Sequence, residues 1–192
     1  NLGKENEGYF YYGAKDGNLN YYFIYGPSVK EVLAGYTYLT GTTPLPRLWA
    51  LGYQQSRHSY DSWQRVQEVA AAFREKKIPC DVLYLDIEYM DGYRVFTWDP
   101  DRFAEFSAGV AKLKEMGFKV VTIIDPGVKK EKGYFVYDEG LANDYYIKDR
   151  DGIPYVNRVW PGEVVYPDFS DGQVRQWWGA KHRLLTEQGV AG

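Results

Sequence analysis

The sequence is 192 residues long, with 45% hydrophobic and 26% charged residues and a formal net charge of -3, the balance of a globular chain with enough material for one ordinary core. It lacks the basic excess that phosphate backbones select for, so no nucleic acid is expected as a partner, and no run approaches the roughly 18 apolar residues of a membrane span. The first residues, "NLGKENEGYF", have neither the basic start nor the apolar stretch of a signal peptide, and a cytoplasmic location is the expectation that follows.

In chain order, "GYFYYGAKDGNLNYYFIYG" alternates aromatics around Asp16-Gly17, the chemistry of a tight hairpin turn, and reads as all-β material. In "GPSVKEVLAGYTYLTG" a capping box of Ser28 with Glu31 opens a helix whose Val29, Val32, Leu33 and Tyr36 recur at helical spacing, and Gly41 stops it. A break falls near residue 42, which separates a domain over 1–42 from one over 43–192. Beyond it, apolar strands begin near Leu48, Val82 and Val120, each followed by a helix, roughly over 61–77, 104–116 and 171–188. That βαβαβα order predicts an α/β fold with a parallel sheet covered by helices. Asp61 with Gln64 and Ser170 with Gln173 read as the starts of the first and third of these helices; Gly117 and Gly189 close the second and third. Cys80, the single cysteine, lies between Pro79 and Asp81 at the entry to a strand and reads as a packing residue. The long stretch 126–168 between the third strand and its helix is of a length usually reserved for functional loops, with a hairpin expected around Asp151-Gly152.

The stretch "VLYLDIEYMDG" starts as a core strand and ends in carboxylates, Asp86, Glu88 and Asp91. Side chains alternate along a strand, so Asp86 caps the face that carries Val82 and Tyr84. Polar groups also end the other two strands, Asp125 in "VVTIIDPGV" and Gln54, Gln55, Arg57 and His58 in "WALGYQQSRHSY". Parallel α/β proteins carry their sites at the carboxyl ends of the strands, so three such endings on one side of the sheet mark a candidate site, although any one of them could simply be where a strand leaves the core. Carboxylates there could hold magnesium or calcium, but neither an Asp-x-Asp-x-Asp-Gly loop nor a histidine pair completes a known spacing, and no metal or cofactor is expected. The other chemistry is sugar binding, in which carboxylates accept from hydroxyls and aromatic faces cover the ring. The 18% aromatic content, 19 tyrosines included, suits it, though dense hairpins would explain that content equally. Trp160, fixed before Pro161-Gly162, could supply such a face or sit in the core.

"WALGYQQSR", "DVLYLDIEYMDGYRVFTWDPDRF", "GFKVVTIIDPGV", "VWPGE" and "YPDFSD", taken in this order over nearly the whole chain, resemble glycoside hydrolase family 31, in particular its bacterial α-glucosidase-like members. The resemblance implies that 1–42 is the end of an amino-terminal β-sandwich domain with a connecting helix. It implies that 43–192 is the first three βα units and the start of strand 4 of a (β/α)8 TIM barrel. The implied activity is retaining hydrolysis of α-linked glucosides, with an oligosaccharide or α-glucoside as substrate. By the same resemblance, Asp86 binds sugar hydroxyls with Ile87 beside it, Ile123 and Asp125 line the pocket floor, Trp160 forms its wall, and Glu88 and Asp91 are secondary. His58 stands where relatives carry a large aromatic, which bears on glucose-versus-xylose preference. The family's nucleophile lies in a Trp-x-Asp-Met-Asn-Glu motif on the fourth strand, and its acid/base follows later. Neither is found here, so both are expected beyond Gly192, with the rest of a parent chain needed to close the barrel. A carbohydrate-binding module without chemistry is the alternative.

Overall fold

The computed structural model describes Gly8, Tyr11, Gly13 and residues 17–192. The chain divides into two compact units, 1–45 and 46–192. In the first, α1 (Val29–Thr40) opens on the expected capping box: the Ser28 hydroxyl accepts from the Glu31 N–H, and the Glu31 carboxylate accepts from the Ser28 N–H at 3.0 Å. Its apolar residues Val29, Leu33 and Tyr36 are exposed. Most of the first half of the expected aromatic hairpin, Asp16 included, lies outside the described residues. Residues 18–26 form no strand, because a strand exists only through hydrogen bonds to a partner.

The second unit is built on a parallel sheet of order β1-β2-β3, formed by β1 (Gln54–Gln55), β2 (Val82–Leu85) and β3 (Lys119–Thr122). Val82 lies beside Gln54 on one side and Lys119 on the other, so the three carboxyl ends point the same way. The chain's last residues run alongside β3: Ala191 donates to the Val120 carbonyl at 2.8 Å, and Thr122 donates to that of Gly192 at 3.0 Å. The first strand differs from expectation. Leu48–Leu51 is a turn of 3-10 helix with Leu48 and Leu51 exposed, and the sheet begins only where Tyr53 accepts from Asp81 and Gln54–Gln55 pair with β2.

Two helices return over this sheet, α2 (Trp63–Glu75) after β1 and α3 (Phe106–Glu115) after β2. α2 buries Trp63, Val66 and Ala70, and α3 buries Phe106, Gly109, Val110 and Leu113, the faces that 3.6-residue spacing selects. Each such large apolar side chain contributes about 1.5–3 kcal/mol relative to exposure. The cap of α2 is Ser62, one residue later than Asp61, with its hydroxyl accepting from the Arg65 N–H at 3.3 Å. Arg74 near the end of α2 fastens this layer to the amino ends of the strands. Its guanidinium donates to the Met116 and Cys80 carbonyls and lies 3.7 Å from the centre of the Phe118 ring. Cys80 is buried, and burial pushes its thiol pKa up, in keeping with a packing role.

The stretch 126–168 is ordered throughout. It contains α4 (Phe135–Ala142) and an antiparallel sheet of order β4-β6-β5, formed by β4 (Val128–Lys129), β5 (Val156–Val159) and β6 (Gly162–Val165). Asp149–Ile153 makes a tight turn bridged between Lys148 and Pro154, at the Asp151-Gly152 position, but the regular hairpin is the next one, β5 to β6, with Trp160 and Pro161 at its tip. The last helix starts at Asp171, whose carboxylate accepts from the Gln173 N–H, rather than at Ser170, and it runs as α5 (Gly172–Lys181) and α6 (Arg183–Thr186) with a break at His182. Glu139 of α4 joins this layer to α5 through Lys181 and the Trp177 indole N–H.

Candidate functional site

The carboxyl ends of β2 and β3, with the tip of the β5–β6 hairpin, form a shallow cleft lined by Ile87, Met90, Tyr93, Val95, Asp125, Gly127, Val159, Trp160 and Pro161. Ile87, Asp125 and Trp160, separated by up to 73 positions, thus meet in one place. Trp160 is 58% exposed, so its ring lies on the surface of the cleft rather than in the core. The enclosed part of the cleft is only about 10 Å3, room for one water, so a sugar ring would lie across its mouth.

Asp86 follows β2 directly and caps a 3-10 turn over Ile87–Tyr89, its Oδ1 accepting from the Ile87 N–H at 2.8 Å. The carboxylate is therefore oriented by the backbone it terminates. Tyr89, at the end of this turn, locks it to the segment after β3: it is buried, and its hydroxyl donates to the Ile123 carbonyl at 3.0 Å. Burial pushes the Tyr89 phenol far above its ordinary value, so it stays a neutral donor. Ile123 itself packs against the core, with its N–H donating to Leu85 at 3.0 Å. Asp125 bends back over the segment after β3, its Oδ1 accepting from the Gly127 N–H at 3.1 Å. Asp86 and Ile123 adjoin the cleft in sequence without lining it, and His58 is exposed in the segment between β1 and α2.

The other two carboxylates of "VLYLDIEYMDG" are held in structural roles. Glu88 accepts from the Tyr93 hydroxyl at 3.1 Å and lies 3.8 Å from Arg102; this contact raises the Tyr93 pKa. Asp91 pairs with Arg94 at 3.1 Å. Among the described residues no three His, Cys, Asp or Glu side chains are grouped to hold a metal ion. Met90, Tyr93 and Val95 also line the cleft; no sequence signal separates them from core residues, and Met90 and Val95 are themselves buried, at 2% and 1% exposure.

Beside the cleft, Glu131 bridges two cations: Arg94 at 2.6 Å and Lys129 at 2.9 Å. The Arg94 and then the Lys129 contact hold its carboxyl down at about 2, against an ordinary 4.5. Because the folded value is the lower one, the contribution of this cluster is complete above pH 4.5 and is lost as pH falls towards 2. Urea midpoints measured from neutral pH down to about 2 should therefore fall less steeply in Glu131→Gln than in the wild type; parallel curves would show that the carboxylate is not paired in solution.

A parallel sheet with helices over it and a shallow, aromatic-walled cleft at its carboxyl ends defines a chain of the α/β class with its candidate site where such sheets carry them. The chain belongs to glycosyl hydrolases family 31, whose TIM-barrel domain profile matches residues 43–192. It is 50% identical over 181 residues to alpha-glucosidase 2 of Bacillus thermoamyloliquefaciens, covering 94% of this chain and 23% of that protein. To the neutral alpha-glucosidase AB of Homo sapiens it is 42% identical over 178 residues, covering 93% and 19%. Among solved structures, the family 31 alpha-glucosidase from Bacteroides thetaiotaomicron matches with TM-score 0.77 and 45% identity over 84% of this chain and 27% of that one. A Flavobacterium johnsoniae dextranase, solved in complex with glucose, matches with TM-score 0.80 and 34% identity over 88% and 21%. The chain thus spans about a fifth to a quarter of the length of the curated relatives it matches.

Proposed function

We propose that the chain is part of a retaining α-glucosidase-type glycoside hydrolase and contributes the sugar-holding half of its active site. The observation that supports this most directly is the cleft itself, in which Ile87, Asp125 and Trp160 meet at the carboxyl ends of the parallel strands. In this reading Asp86 and Asp125 accept hydrogen bonds from sugar hydroxyls, Trp160 covers an apolar ring face, Ile87 shapes the floor with Ile123 behind it, and His58 borders the site from the segment after β1. The three parallel strands and the run of Ala191–Gly192 along β3 correspond to the first three βα units and the start of strand 4 of a (β/α)8 barrel, and 1–42 to the end of a β-sandwich domain. The relatives named above are glucosidases and a dextranase, and a carbohydrate-binding module without chemistry finds no support among them.

Retaining hydrolysis needs two carboxylates about 5–5.5 Å apart, one to attack the anomeric carbon and one to protonate the leaving oxygen and then activate water. No Trp-x-Asp-Met-Asn-Glu sequence is present in the 192 residues to supply the nucleophile. The expected result is that the full-length enzyme carrying this chain releases glucose from aryl α-glucosides with retained anomeric configuration, whereas the 192-residue chain alone does not. Release above a buffer blank by the chain alone, abolished by mutating Asp86 or Asp125, would turn those holding residues into catalytic ones. An inactive full-length enzyme would remove the hydrolase reading.

A further inference from the structure

The two walls of the cleft come from distant parts of the chain. One is the segment after β2, carrying Met90, Tyr93 and Val95; the other is the antiparallel sheet, carrying Gly127, Val159 and Trp160. Three tethers join them. Arg94 donates to Glu131 at 2.6 Å and to the Asp91 carbonyl at 3.1 Å; Lys129, which pairs with Glu131, donates to the Gly92 carbonyl at 3.2 Å; and the Tyr134 hydroxyl donates to the Val95 carbonyl at 2.7 Å. Glu131 is the common element of the first two, since both cations that grip the 91–94 backbone are paired through its two oxygens.

The gripped segment is the one that most needs a grip. Gly92 has φ 53 and Tyr93 φ 62, two consecutive residues in the left-handed region, followed by Phe96 at φ 63. Non-glycine residues persist there only when their surroundings enforce it. Arg94 also lies so close that a Cβ on Gly92 would come within 2.9 Å of its Nη1. The tethers therefore act on the strained turn that aims Tyr93 into the cleft. An isolated exposed ion pair contributes little, but here two cations and one carboxylate converge on backbone carbonyls, which is the network case.

Resting on the hydrolase reading above, we infer that Glu131 is a positioning residue: through Arg94 and Lys129 it holds the 90–97 wall against the sheet carrying Trp160 and so sets the width of the sugar-binding cleft. The side chain does not line the cleft, and its effect on substrate is exerted through Met90, Tyr93 and Val95.

The test uses the full-length enzyme carrying this chain, with Glu131→Gln, Glu131→Asp and Arg94→Lys. Two readouts are combined: KM and kcat on p-nitrophenyl α-glucopyranoside, and amide hydrogen exchange resolved by segment. The expected result for Glu131→Gln is a KM raised about tenfold with kcat changed less than about threefold, since uniform binding is what a displaced wall would weaken. Exchange should rise about tenfold in 90–97 and in 128–132, well beyond any change in 82–85 and 119–122. Glu131→Asp, which keeps the charge but shortens the reach, should fall between. Unchanged KM with unchanged exchange in 90–97 overturns the inference. Exchange raised by the same factor everywhere, with no excess in 90–97 and 128–132, also overturns it, because Glu131 would then act on global stability alone. If the wild-type enzyme turns over no α-glucoside, the hydrolase reading fails on its own, and the exchange pattern alone decides whether Glu131 holds the wall.

Discussion

Truncating Phe103 to alanine is expected to lower stability by about 3–5 kcal/mol, the range for removing a buried aromatic ring. Phe103 is fully buried, with its ring edge-on to Trp63 at 5.2 Å, and Trp63 in turn packs on Phe106 at 5.2 Å. This cluster joins the start of α2 to α3, and the backbone repeats the join where the Trp63 N–H donates to Arg102 at 3.1 Å. The interface cannot close up on a cavity easily. Gly109 of α3 lies so close to the indole that a Cβ there would come within 2.2 Å of it, so the helix already touches the ring. Trp63→Phe is the contrasting variant. The Trp63 Nε1 is buried without a hydrogen-bond partner among the described residues, a condition that costs about 1–3 kcal/mol, and its removal offsets part of the lost packing. The expected loss is therefore well under half of that in Phe103→Ala. Urea unfolding with matched m-values measures both. A Phe103→Ala loss under about 1 kcal/mol would mean that this side of the α2–α3 contact is not a packed core.

What could be read from the sequence follows the range of the interactions that decide each feature. The α1 capping box is a relation over three residues and is present as expected. The faces of α2 and α3 repeat at helical spacing and are buried accordingly. Asp61 and Ser62 are adjacent residues that can both cap, and the choice between them depends on where the chain leaves the sheet. Apolar character at Leu48–Leu51 suggests a strand there, but pairing is decided by the neighbour, and it is Gln54 and Gln55 that lie beside Val82 and Leu83. The same holds for the antiparallel sheet, where both "DRDG" and "VWPG" carry turn chemistry and the ladder chose the second for its regular hairpin.

The candidate site divides along the same line. Asp86 and Asp125 stand out in the sequence because they end apolar runs, and Trp160 because a Pro-Gly follows it; of the three, Asp125 and Trp160 line the cleft. Tyr93 and Val95 line the cleft through a turn whose left-handed residues, Gly92 and Tyr93, leave no periodic trace. Arg94 and Glu131 are 37 positions apart, and nothing local to either marks the other as its partner. Pairings of that kind become visible only in three dimensions.

On the sugar-holding role proposed for Asp86, Asp86→Asn in the full-length enzyme is expected to lower kcat/KM on α-glucosides by about 2–4 kcal/mol, as charge-assisted hydrogen bonds to sugar hydroxyls would give way to neutral ones. The substitution isolates charge from architecture. Asp86 caps the turn over Ile87–Tyr89 by accepting from the Ile87 N–H, and an asparagine oxygen can accept that bond equally. Tyr89 continues to fasten the turn to Ile123, so Ile87 and the cleft floor stay in place. The variant should therefore keep the wild-type melting temperature while losing activity, and Asp86→Ala, which also removes the cap, should lose both. The order of the two variants is what carries the argument. If Asp86→Asn retained wild-type kcat/KM while Asp86→Ala lost it, the carboxylate would be acting as a cap alone, and the sugar-holding charge would have to be sought at Asp125, whose side chain lines the cleft directly.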